Sequence, residues 1–139
     1  MKTLAIIIAF TLTTFLSYAQ DSLQTYTISI RLENPSNNRG HVLIGLHSAD
    51  TFMKSEGLQN AKLKVIDGKV HATFENVKPG NYAIMVFHDE NDNSRMDFEP
   101  NGMPMESYGI SNNPMLFGPP TFNDAKFELY EDTEISIRF

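Results

Sequence analysis

The chain has no cysteine and no tryptophan. Without cysteine there can be no disulfide, no thiolate metal site and no thiol nucleophile. Cations are scarce as well, with 11 Lys and Arg against 17 Asp and Glu and a formal net charge of −6. Such a balance makes nucleic acid a poor partner, because Lys and Arg must neutralise phosphates, and it disfavours anionic membrane surfaces for the same reason. Long apolar runs are missing except at the start. Leu4 to Phe15 is apolar but for threonines, Lys2 precedes it, and "LSYAQ" places Ser17 and Ala19 before Gln20. This pattern reads as a secretory signal peptide over residues 1–19, too short for a membrane span. A single domain over 20–139 is then expected in the periplasm or outside the cell, with no stable membrane insertion after cleavage.

What the remainder has is period-2 alternation. "TYTISIRLE" sets Tyr26, Ile28, Ile30 and Leu32 on one face, and "HVLIGLHS" does the same with Val42, Ile44 and Leu46;. Asp67-Gly68 predicts a tight turn joining Leu63 and Val65 to Val70, Ala72 and Phe74 as a hairpin. "KPGNYAIMVFH" opens on Pro79-Gly80 and is apolar on both faces, which predicts a central strand covered twice. Residues 89–124 lose all period and read as one long ordered loop, either functional or internally braced. A second hairpin is expected around Glu131-Asp132, with Phe127 and Leu129 facing Ile135, Ile137 and Phe139. The sum is an all-β fold: an antiparallel, seven-stranded, Ig-like or prealbumin-like β-sandwich.

The loop begins "FHDENDNSRMD". Calcium takes six to eight hard oxygens, and tight loops supply them from alternate positions. Counting from Asp89, side chains of Asp89, Asn91 and Asn93 come first, then the Arg95 carbonyl and Asp97. Position six, where such loops favour glycine, is Ser94; position twelve is Pro100, so Glu99, Glu106 or water must complete the shell. The expected Kd is roughly 10⁻⁴–10⁻³ M. Two alternatives stand beside calcium. One is an ion-free loop held by Asx turns; the other is a transition metal using His88, a residue otherwise read as a hydrogen-bonded strand end.

Other chemistry is thinner. Ser111 lacks the setting of a nucleophile, and Asp97 with Glu106 is a carboxylate pair of unknown separation, so a hydrolase is the weakest reading. Phe98, Tyr108, Phe117 and Phe122 with many amides would suit a carbohydrate- or peptide-binding accessory module, or would simply pack the loop down. Met96, Met103, Met105 and Met115 read as core filling. A rigid spacer docking a glycan or an envelope protein is the remaining option.

The turn Pro79-Gly80 followed by Tyr82 resembles that of prealbumin-like sandwiches such as carboxypeptidase regulatory domains and surface B-type repeats. There the Tyr closes the core beside the turn. The longer string from Pro79 to Leu129 resembles a bacterial secreted family, domain of unknown function 2141. Its landmarks here are His88-Asp89-Glu90-Asn91, Asn93, Asp97, Gly102-Met103-Pro104, Glu106, Tyr108-Gly109, Ser111-Asn112-Asn113 and Gly118-Pro119-Pro120, with Phe122, Asp124 and Ala125. Ser94 and Ser107 depart from it at positions where glycine is common. The resemblance implies a shared architecture and no activity.

Overall fold

The computed structural model describes residues 24–139, so the segment read as a signal peptide lies outside the described residues. In chain order the elements are β1 (Tyr26–Glu33), β2 (His41–His47), β3 (Gln59–Leu63), β4 (Val70–Val77), β5 (Gly80–Asp89), β6 (Tyr108–Ile110), a one-turn helix α1 (Phe122–Ala125), β7 (Phe127–Leu129) and β8 (Thr133–Arg138). Among the described residues the chain is therefore all-β, with eight strands in place of the expected seven. One sheet runs β4-β1-β8; the other runs β3-β2-β5-β6, with β7 also on β5. None of the described helices is long and apolar enough to cross a membrane.

Alternation explains the core. Ile28, Ile30 and Leu32 of β1, Val42, Ile44 and Leu46 of β2, Val70, Ala72 and Phe74 of β4, and Ile84 and Val86 of β5 fall in one buried cluster with Leu129 and Ile137. Each strand gives every second residue to it, so the two sheets share a single apolar interior. Tyr82 packs on that cluster and donates its hydroxyl to the Lys78 carbonyl at 2.9 Å, closing the turn before β5.

Strand partners differ from expectation in two places. Asp67 and Gly68 do form a left-handed turn (φ 51° and 70°), closed by reciprocal Ile66 and Lys69 backbone bonds. Its arms then part: β3 pairs with β2 and β4 with β1, so the turn links the sheets and no hairpin extends from it. Likewise β7 and β8 are not a hairpin. β7 joins the edge of β5, while β8 lies parallel to β1, Ile28 beside Thr133. The strand pairing is thus not wholly antiparallel. The physical reason is common to both: alternation tells which side chains face inward, and both arms of each turn do face the same core. It carries no information on which backbone edge they meet.

β5 is the centre. β2 pairs along one edge from His41–Asp89 to His47–Ala83. The other edge is shared: Gly80–Tyr82 pair with β7, and Met85–Phe87 with β6. Ser111 bridges the gap between them. Its N–H donates to the Ile84 carbonyl at 3.0 Å, and its hydroxyl oxygen accepts from the Ile84 N–H at 2.9 Å while donating to the Ala125 carbonyl. The 89–124 stretch is therefore not one loop: it contains β6, this splice and α1. A smaller cluster of Phe52, Ala83, Ile110 and Ala125, with Met85, Leu116 and Phe122 against it, covers part of the outer face of the β5 sheet.

Ser111 is fully buried, and an alanine there leaves the Ile84 N–H and the Ala125 carbonyl short of partners;. Ser111→Ala is expected to lower unfolding free energy by about 1–3 kcal/mol, read as a drop in urea midpoint at unchanged slope.

A candidate cation-binding loop

β5 ends in a buried acid. Asp89 is 0% exposed, although it is the last residue of the strand. Its carboxylate is satisfied by the loop it launches: one oxygen accepts the Asn93 N–H at 3.1 Å, the other the Ser94 N–H at 2.8 Å. The chain folds back this tightly through two left-handed residues, Asp92 and Ser94, both at φ 62°. Ser94 thus adopts the conformation for which glycine is preferred at the sixth position. Gly40 (φ 62°) makes the close approach possible from the other side, since a Cβ there would collide with the Asp89 carbonyl.

The asparagines turn the same way. Asn91 Oδ1 accepts the Asn93 N–H at 3.0 Å, and Asn93 Oδ1 accepts the Arg95 N–H at 3.0 Å. Their amide nitrogens converge, both donating to one Asp97 carboxylate oxygen at 2.7 Å. The Arg95 guanidinium lies 3.6 Å from the other oxygen. These contacts, the Asn91 amide first, hold the Asp97 carboxyl below its usual range. Glu106 closes the ring from the far end of the segment, accepting the Asp97 N–H at 3.4 Å. It is 8% exposed, and its Oε1 is buried without a partner. Burial above all, and then the nearby Asp89 and Asp97 charges, push its carboxyl above the usual range.

The structure therefore brings Asp89, Asn91, Asn93, Asp97 and Glu106 together. Glu99 stands apart on a small hairpin formed by residues 97–105, exposed and bonded to the Asn101 amide. Among the described residues no three His, Cys, Asp or Glu side chains form a metal-holding group, so any ion here would lean on amide and carbonyl oxygens. His88 is not aimed at the loop. It is fully buried on the inner face and donates Nε2–H to the Arg39 carbonyl at 2.7 Å.

Braces that sequence reading did not anticipate tie the loop to its surroundings. Asp92 is gripped by His41 Nδ1 and by Lys62 Nζ at 3.4 Å, and its carboxyl is lowered, chiefly by the His41 bond. Glu90 accepts from the Asn37 amide and Arg39 guanidinium, each at 2.9 Å, and is lowered mainly by Asn37. Both donors lie in "NPSNNRG", the connection between β1 and β2, where nothing local marks such a reach. The aromatics do not converge into one face either. Phe122 packs against Phe52, while Phe98 and Phe117 are exposed. The methionines are not core filling: Met103, Met105 and Met115 are mostly exposed.

Glu106 sets a pH signature. A carboxyl whose pKa is higher folded than unfolded favours folding below the unfolded value and opposes it as pH rises. Glu106→Gln is expected to raise Tm at neutral pH in chelator and to flatten the loss of stability above the ordinary value of 4.5. Thermal melts across pH 4 to 8 check this. Relieving the left-handed strain at position 94 should also help: Ser94→Gly is expected to add about 1 kcal/mol by urea denaturation.

No curated protein and no solved structure matches the chain. A family model described as an uncharacterized protein conserved in bacteria (DUF2141) matches residues 30–138, which include all the strands from the middle of β1 to the end of β8. The chain therefore belongs to that family.

Proposed function

We propose that this chain is an exported, non-catalytic domain of the Ig-like or prealbumin-like sandwich type, whose 89–106 segment takes up one calcium ion as a structural brace. The observation that carries the reading is Glu106. A buried carboxylate oxygen with no partner, set beside Asp89 and Asp97, is costly unless a cation or proton joins it;. Hard oxygens from carboxylates, amides and carbonyls are what calcium selects. The alternation of Asp89, Asn91, Asn93 and Asp97 and the left-handed Ser94 fit a loop of that kind;.

In the geometry described, the Asn91 and Asn93 amide nitrogens satisfy Asp97. Turning those two amides over would present oxygens in their place but would also release the Asn93 and Arg95 N–H groups that those oxygens accept, so uptake of an ion exchanges four hydrogen bonds for coordination. Arg95 would contribute its carbonyl. Glu99 would have to swing inward, and water is the simpler last ligand. The ion would act as a clasp between the end of β5 and the start of β6.

Support for a non-catalytic role is specific. The hydroxyl of Ser111 is committed to backbone groups, and the Asp97 carboxylate to two amides. Neither is free to act as nucleophile or base. Export rests on the reading of residues 1–19 alone.

Calorimetric and thermal titrations test the ion. At a free calcium concentration ten times Kd, linkage gives about 1.4 kcal/mol of stabilisation. Tm should rise with millimolar calcium and return on chelation. Asp97→Asn and Glu106→Gln should each abolish the response while remaining folded. A Tm indifferent to calcium in the unmodified protein would end the proposal.

A further inference from the structure

With no cysteine in the chain, methionine supplies its only sulfur. Thioether sulfur is neutral, polarisable and soft, and among biological ions it suits Cu(I). Calcium takes hard oxygens instead, and zinc takes thiolate, imidazole or carboxylate. A methionine can serve a metal when it is exposed and has a second sulfur within reach. Met53, Met103, Met105 and Met115 are each more than half exposed. Among the described methionines only Met103 and Met105 stand two residues apart, the spacing that brings side chains to one face of an extended segment;.

The 97–105 hairpin makes that segment extended. Phe98 and Pro104 lie directly opposite each other. The Met105 N–H donates to the Asp97 carbonyl at 2.9 Å, and the Glu99 N–H to the Met103 carbonyl at 2.8 Å. These bonds bracket the Phe98–Pro104 pair, so Asp97, Glu99, Met103 and Met105 all alternate onto the other face. There the Cα atoms of Met103 and Met105 are about 6–7 Å apart. Two unbranched, flexible thioether arms can close that gap around one ion. Phe98 is exposed too, but on the opposite face, so the three apolar side chains do not merge into one docking patch;.

The backbone beneath the two sulfurs is already fixed. Gly102 (φ 84°) donates its N–H to the Glu99 carbonyl at 2.8 Å, and Asn101 Oδ1 accepts the Met103 N–H at 2.9 Å. Pro100 and Pro104 restrict φ on either side of the turn;. An arriving ion therefore orders two side chains and no backbone. Glu99, opposite Met103 on the same face, has its carboxylate bonded to the Asn101 amide at 3.3 Å. Its negative charge favours a cation beside the sulfurs.

We infer that Met103 and Met105 form a thioether site for Cu(I) on the exposed face of this hairpin. Both sulfurs coordinate the one ion, and water or the Glu99 carboxylate completes its shell. The inference does not rest on the calcium reading, because neither sulfur belongs to that ligand set and calcium does not take thioethers.

Methyl NMR of the full chain with labelled methionine reads each sulfur separately. Silver nitrate in calcium-free, chloride-free buffer supplies Ag(I) as an air-stable soft monovalent probe, and Cu(I) is added anaerobically in parallel. The Met103 and Met105 methyl signals are expected to move together with either ion and to saturate at one equivalent. Met103→Leu and Met105→Leu keep the size and apolar character of an exposed side chain, so the fold stands;. Each should weaken binding about tenfold or more, because the remaining sulfur then acts alone. Met53 and Met115, as exposed but with no methionine two residues away, are the internal control and should stay still below one equivalent. Equal movement of the control methyls overturns the assignment. So does a Leu variant that binds like the parent, a pair that ignores Cu(I), or a pair that answers Zn(II) as strongly as Ag(I).

Discussion

A strand covered on both faces must satisfy every backbone group from its own edges, and β5 is that strand. On one side β2 meets it along most of its length. On the other no single segment does, and the edge is assembled from β7, Ser111 and β6 in turn. The middle piece is one residue, whose own N–H serves the Ile84 carbonyl and whose hydroxyl stands in for a peptide carbonyl. The chain from β5 as far as β7 is arranged to come back to this edge, which is why residues 89–124 have no period and yet are ordered.

The acidic loop inherits its position from that requirement. It must turn out of β5 and return through Glu106 to β6, so both ends are anchored in the sheet. Between them two opposed electrostatic demands meet. Asp97 is stabilised as an anion by two amides, whereas Glu106, close by, lacks solvent and faces two like charges. Side braces from His41 with Lys62, and from Asn37 with Arg39, hold the neighbouring acids Asp92 and Glu90. The loop's shape is thus fixed by hydrogen bonds from three separate parts of the chain, which accounts for its order without any appeal to an ion.

Much of this could be read from residue order. Inward residues of β1, β2, β4 and β5, the Asp67-Gly68 turn, and the strained Ser94 were legible because local rules set them: alternation, left-handed propensity, spacing. Strand partners were not, since Leu129 and Ile137 reach one core from different sheets. Glu106 could be named as a possible ligand but its burial could not, because burial depends on β6 pairing with β5. Contacts on the outer face of β2 and β5 were illegible for a similar reason. Gly45, Leu43 and Phe87 meet only across a ladder, and the direction of the His47 ring is set by Thr51, four positions on. Local pattern thus gives the facing of each residue; what it meets there is decided by topology.

The parallel pairing of β8 with β1 has a consequence for assembly. Ile28 lies beside Thr133 and Glu33 beside Arg138, so the earliest strand is flanked by the latest. A chain emerging from a ribosome or a membrane pore N-terminus first would hold β1 against β4 alone, one long edge bare, until the segment around 133–138 had come through. Such closure is slow, because the loop spanning both partners is nearly the whole domain. Until then the bare edge is open to pairing with other chains. The last strand to arrive thus both completes the three-stranded sheet and covers the edge of the first.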